Sequence, residues 1–259
     1  MADRGFYQVD TSHYSVAQNE RVRFLVLHYT ALDDAESLDV LAHGAAASVH
    51  YLVNTTPPIE GSKPVVLGLV PEDKRAWHAG VSDWSGRTNI NDTSIGIEIV
   101  NPGYTDAADG SRRFYPFPDA QIDLVTRLAK DIVARYQIEP FNVLAHSDIS
   151  PLRKSDPGPL FPWHDLYKEG IGAWPDEATV TKYLDGRAPT ALASVRVIQT
   201  ALNTYGYQIP QTGILDKETK AVISKFQMHF RAADIRGEPD VETEAIARAL
   251  VEKYRTPSS

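Results

Sequence analysis

The chain of 259 residues contains no cysteine. Disulfides and thiolate metal sites are thereby both excluded, while the redox compartment stays open. No apolar run approaches the roughly 20 residues that a membrane-spanning helix needs. The N-terminus, MADRGFYQVD, lacks the basic-then-apolar layout of a secretory signal. Residence inside the cell, a leader already removed or another export route would each satisfy that observation. HExxH is absent too, which argues against an ordinary metallopeptidase. There is no long Lys/Arg stripe, and 34 acidic against 26 basic side chains leave a net charge of −8. Such a chain is a poor candidate for nucleic-acid binding. No heptad seam is visible, and the sequence does not define an oligomeric state.

What is present is ordinary for a soluble globular protein: 42% hydrophobic and 23% charged residues. The length admits one large domain, or a medium one with a small one attached. Arg21–Thr30 (RVRFLVLHYT) is rich in β-formers and predicts a central strand. Asp34–Gly44 predicts a helix, with acids at its start and a glycine where a C-cap would fall. Val49–Asn54 and Pro64–Val70 predict strands around a Pro/Gly loop, and Ser94–Asn101 (SIGIEIVN) predicts another. Asp119–Tyr136 predicts a long amphipathic helix with Ile122, Val125, Leu128, Ala129, Ile132 and Val133 on one face. Asn142–Ala145 is a short strand that delivers His146 at its end. Strands interleaved with helices imply an α/β domain with a central mixed sheet flanked by helices.

The character changes after Leu184. Asp185–Pro189 reads as a linker, and beyond it strand signals vanish. Ala191–Tyr205, Asp216–Phe230 and Val241–Tyr254 predict three helices, with Asp216 a natural N-cap. We therefore expect a catalytic domain over residues 1–184 and a small three-helix bundle over 190–259. The tail Thr256–Ser259 is expected to fray.

The loop from His146 to Pro159 places an imidazole, an ammonium (Lys154) and a carboxylate (Asp156) close together in a chain that also has the strand-borne His28. Two neutral imidazoles and one carboxylate suit a catalytic Zn²⁺, which keeps a position open for water. Amide hydrolysis needs a general base and a group for the tetrahedral oxyanion as well. Glu98 is a candidate base, because a lone acid in an apolar strand is costly without a partner. Lys154 stands two residues from Asp156, on the same side of an extended backbone, and suits the oxyanion. Each residue also has an ordinary reading. His28 and His146 are compatible with satisfied core histidines, Asp156 with a turn residue before Pro157, Lys154 with a solvated charge and Glu98 with a strand-end salt bridge.

Five motifs occur in order: FLVLHYT (Phe24–Thr30), AWHAG (Ala76–Gly80), NDTSIGIEIVN (Asn91–Asn101), AHSDI (Ala145–Ile149) and RKSDPGP (Arg153–Pro159). Together they resemble the type-2 zinc-dependent N-acetylmuramoyl-L-alanine amidases, in the two-domain bacterial branch. The resemblance implies hydrolysis of the lactyl–L-alanine amide of peptidoglycan or muropeptides, in cell-wall turnover or recycling. It implies zinc ligands at His28, His146 and Asp156, the acid/base at Glu98 and the oxyanion lysine at Lys154. Phage relatives carry a catalytic tyrosine just before the histidine of the second strand. Val49 stands there in this chain, ahead of His50, which puts more weight on Glu98. His78, Trp77 and Arg153 are candidate substrate contacts, with packing or solvated roles as their alternatives, whereas His50 is expected to be structural. VIQTALNTYGY (Val197–Tyr207) and TGILDKETKAVISKFQMHF (Thr212–Phe230) resemble a three-helix peptidoglycan-binding domain. An envelope or periplasmic setting follows from that substrate. Two rivals remain: a recognition module that holds muropeptides without cutting, and the same amidase used as an antibacterial effector.

Overall fold

The computed structural model describes residues 1–256; the last three positions of the tail expected to fray lie outside the described residues. Its organising element is a five-stranded sheet. The strands are β1 (Phe24–Tyr29), β2 (Tyr51–Val53), β3 (Leu67–Gly68), β4 (Ser94–Ile99) and β5 (Val143–Ala145). They lie in the order β5-β1-β4-β2-β3. The first four in that order run parallel and β3 closes the edge antiparallel. The sheet is thus mixed, as expected.

Burial on both faces explains why β1 and β4 read as near-continuous apolar runs. Leu25, Leu27, Ile95, Ile97 and Ile99 enter one core with Val125, Ala129 and Ile132 of helix α2 (Asp119–Tyr136). The alternate residues Phe24 and Val26 enter a second core on the opposite face. His28 and Glu98 continue that second face toward the carboxyl ends of the strands. Ahead of α2, α1 (Asp34–Leu38) is capped by Asp33, whose carboxylate accepts from Glu36 N at 2.9 Å. The predicted single helix to Gly44 instead widens into a π-turn over Asp39–His43. Of the strand predicted over Pro64–Val70, only Leu67–Gly68 joins the sheet. Lys63–Pro64 pairs with Ile59–Glu60 in a separate hairpin, as suits a proline without an N–H to donate.

After β5 come α3 (His146–Ile149), α4 (Trp163–Lys168), α5 (Glu177–Leu184), α6 (Val195–Tyr205), α7 (Lys217–Phe230) and α8 (Val241–Tyr254). The three helices predicted beyond the linker are α6, α7 and α8. Helix α5 was not predicted, and it joins them: Lys182 bonds Glu252 of α8 at 2.9 Å, and Arg187 just beyond it bonds Glu244 at 3.1 Å. A repeated device ties the bundle together. Buried Gln199 donates to Thr219 Oγ1 and accepts from Gly213 N; buried Gln227 does the same with Thr243 and Gly237. In both cases the threonine N–H is capped by an aspartate three residues earlier, Asp216 or Asp240.

The bundle does not hang on a tether. One continuous core runs from Phe24, Val26, Trp84 and Ile149 into Tyr205, Tyr207, Phe226 and Phe230. Trp84 meets both tyrosine rings edge-on, at 5.8 and 5.0 Å between centroids. Gly206 lies against the indole, where a Cβ would sit 2.7 Å from the ring. Trp84 is therefore a core residue.

Candidate active site

Parallel strands deliver the chemistry to their carboxyl ends, where open α/β sheets usually place their sites. His28 is the fifth residue of β1, and Glu98 is its direct Cα partner in β4. His146 follows β5 at the start of α3. Asp156 returns from the loop, anchored where Ser147 N donates to its carbonyl at 3.0 Å.

His28, His146 and Asp156 converge, and all three are buried. His28 Nδ1 and His146 Nδ1 are 2.9 Å apart, and each lies 3.0 or 2.9 Å from Asp156 Oδ2. The outer nitrogens decide what these atoms carry. His146 Nε2 faces the carbonyl of Ala79 at 3.0 Å, which only accepts, so Nε2 bears the proton and Nδ1 presents a lone pair. His28 Nε2 meets His78 Nδ1 at 3.0 Å, and His78 Nε2 meets Ser94 Oγ at 3.0 Å. Donation outward along that line likewise leaves a lone pair on His28 Nδ1. Three electron-rich atoms facing one point need a cation between them, and two imidazoles plus a carboxylate suit Zn²⁺. Burial and the neighbouring His146 push the His28 imidazolium down to about 4, which favours the neutral, metal-ready ring. Burial opposes ionisation of Asp156, but when no metal is bound a proton shared with His146 or His28 overrides it and holds the carboxyl below its usual range.

Glu98 is partly accessible, yet its Oε2 is enclosed and has no hydrogen-bond partner among the described residues. Burial, reinforced by the charge of Asp156, raises its pKa well above the ordinary carboxylate value; Lys154 opposes that rise. Lys154 is half-buried, and its backbone N–H donates to Ser150 O at 2.9 Å. The predicted catalytic and metal-binding residues are thus gathered at one end of the sheet.

The candidate substrate contacts separate. Trp77 is 52% exposed, with the Arg75 guanidinium 4.0 Å from its ring centroid. Arg153 is exposed but donates from Nη2 to the carbonyls of Ala79 and Val81, both at 3.1 Å. His78 stands apart from these two. It is buried behind His28 with both ring nitrogens engaged, a geometry that favours the packing alternative and a partner for the His28 ring. Its ring fills the space over Gly96, where a Cβ would lie 2.7 Å from Cγ. The period-2 pattern of β4 held a signal for this: Ser94, Gly96 and Glu98 share the face of His28. His50 is structural as expected, accepting from Gly96 N on Nδ1 and facing Lys74 O through Nε2. Asn91 was also missed; its Oδ1 accepts from His78 N and Ala79 N and so fixes the carbonyl that holds His146.

A mixed sheet with a His-His-Asp cluster and a glutamate at its carboxyl edge defines an α/β protein whose donor set suits metal-assisted hydrolysis. The chain belongs to the N-acetylmuramoyl-L-alanine amidase family, whose model matches residues 18–159. A peptidoglycan binding domain model matches residues 192–246. The sequence is 50% identical to the N-acetylmuramoyl-L-alanine amidase AmiD of Escherichia coli, over 96% of this chain and 89% of that protein. The structure matches AmiD in complex with the substrate anhydro-N-acetylmuramic acid-L-Ala-D-gamma-Glu-L-Lys, with TM-score 0.93, 49% identity and 97% of each chain covered. AmpDh3 of Pseudomonas aeruginosa matches with TM-score 0.83 and 44% identity, covering 99% of each chain.

Proposed function

We propose that the chain is a zinc-dependent amidase that hydrolyses the bond between the lactyl group of N-acetylmuramic acid and L-alanine in peptidoglycan or its muropeptides. One observation carries this reading: three buried lone-pair atoms form a triangle of 2.9–3.0 Å, and beside it stands Glu98, whose enclosed Oε2 has no hydrogen-bond partner among the described residues. His28, His146 and Asp156 would hold the ion. When bound, zinc would supply Lewis acidity at this point and lower the pKa of a water toward about 7.

The chain's own groups do the rest. Glu98 takes the proton of the attacking water on its carboxylate and returns it to the departing alanine nitrogen. Its pKa, raised by burial and the charge of Asp156, suits a group that must take up a proton and give it back. Lys154 donates to the oxyanion as the carbonyl becomes tetrahedral. His78 and Ala79 O hold the two imidazoles in the tautomer that points Nδ1 inward. Trp77, exposed at the rim, offers a face to a sugar ring, and the unused donors of Arg153 suit a stem-peptide carboxylate.

The division of labour follows the fold. The sheet domain performs the chemistry, and the helical bundle contacts polymeric wall, with α5 belonging to the bundle through its bonds to α8. That substrate supports a setting in the cell envelope or periplasm, in wall turnover or recycling. The test is incubation of zinc-loaded protein with soluble anhydro-muropeptides, followed by mass spectrometry. Free stem peptide that disappears on chelation is the expected result. Intact muropeptide after prolonged incubation would instead identify a recognition module.

A further inference from the structure

Helix α7 turns two polar side chains, one helical turn apart, onto the ligand-bearing loop. Lys225 Nζ donates to Ser155 Oγ at 3.1 Å, and Ser155 immediately precedes Asp156. His229 Nδ1 lies 2.7 Å from Asp148 Oδ2, and Asp148 stands two residues past His146. From the turn after α6, the Tyr207 hydroxyl donates to Asp148 Oδ1 at 2.6 Å. Asp148 Oδ2 also accepts from Ala145 N at 2.8 Å, so the carboxylate brackets His146 in sequence.

None of these groups is a surface contact. Asp148, Tyr207 and His229 are 1%, 1% and 5% exposed. The His229 ring is stacked between Trp163 and Phe230, at 3.8 and 4.0 Å between centroids, and cannot swing away. A carboxylate at this depth is costly unless donors meet it, and two of its three donors come from the bundle. A module that only tethered the enzyme to the wall could rest on the sheet through apolar packing alone. It would have no use for a buried polar network aimed at the residues beside two ligands.

We propose that the bundle is a positioning element of the active site: Tyr207 and His229 act through Asp148, and Lys225 through Ser155, to hold His146 and Asp156 at the spacing that accepts the metal. The inference rests on the reading of these residues as zinc ligands. Partners that orient metal ligands typically change affinity by about 10- to 100-fold when removed, and these residues act one bond further out.

Lys225 separates positioning from plain structural support. Burial, with Arg112 nearby, lowers its pKa to about 8, and Asp156 only partly offsets this. A lysine that is harder to protonate when folded weakens the fold at neutral pH. Lys225→Met should therefore melt no lower than the unmodified chain while binding zinc less tightly. A purely structural lysine would show the opposite: lower melting and unchanged zinc affinity.

The test uses full-length apo-protein titrated with Zn²⁺ against a chromogenic chelator, well below the melting temperature. Lys225→Met and Tyr207→Phe should each weaken zinc about threefold or more, and Tyr207→Phe/His229→Gln about tenfold. Pelleting with intact sacculi should be unchanged. If the double variant fails to fold, Lys225→Met decides alone. A tight site in the unmodified chain that the folded variants leave within twofold overturns the positioning role. No zinc uptake by the unmodified chain overturns the ligand reading and the positioning role together.

Discussion

Glu98 and His28 are direct Cα partners in adjacent parallel strands, so the enclosed carboxylate and a cluster imidazole emerge from the same face of the sheet. That register makes a clean separation of roles testable. Glu98 is outside the three-atom triangle, so Glu98→Gln should keep full zinc content. Turnover should fall by about two or more orders of magnitude, the usual contribution of a general acid/base. Metal analysis beside a muropeptide assay checks both halves, and near-normal turnover would remove Glu98 from the mechanism.

The environment of Glu98 also fixes the direction of the pH response. A general base works deprotonated, so activity falls as pH drops through its pKa. Because burial and Asp156 raise that pKa, the acid limb of kcat/KM should lie above the ordinary glutamate value of about 4.3. Lys154 opposes the rise, so the residual activity of Lys154→Met should show an acid limb shifted further up. A limb that stays put or moves down in that variant would contradict this electrostatic account.

How far the sequence is legible depends on where each residue finds its partners. Helix α2 spans the predicted Asp119–Tyr136 because its apolar stripe is set by its own periodicity. The grouping of His28, His146, Asp156 and Glu98 was legible because each sits at a strand end or in a short loop with unusual composition. Helix α5 was not: its β-branched stretch, Thr179-Val180-Thr181, weakens the helical signal, and Glu252, 70 residues on from Lys182, helps hold it. The two readings of His78 stayed open for a similar reason, since its ring partner His28 lies 50 residues away. The bundle's grip on Asp148 spans 59 and 81 residues, and no local pattern announces it.

His78 gives the sharpest contrast between the two readings of one residue. If it contacted substrate, replacing it would raise KM and leave the metal alone. As the partner of His28 Nε2, backed by Ser94 Oγ, its loss should loosen zinc instead. His78→Ala is expected to weaken zinc by about 10- to 100-fold, with a smaller effect for Ser94→Ala, which leaves the ring in place. Chelator competition measures both, and a raised KM at full zinc affinity would restore the substrate-contact role.

The continuous core predicts how the molecule comes apart. Phe24, Val26, Trp84 and Ile149 are at most 5% exposed because bundle residues cover their side of the sheet. Two independently stable domains would melt in two steps, whereas a shared core couples them into one. Calorimetry of the intact chain should therefore show a single endotherm. Gly206 is the place to probe that coupling, because its φ of 150° and its contact with the Trp84 ring leave no room for a side chain. Gly206→Val should lower the melting temperature of sheet and bundle together, by about 2 °C for each 1 kcal/mol lost. A second, unshifted endotherm in that variant would show that the two parts fold on their own.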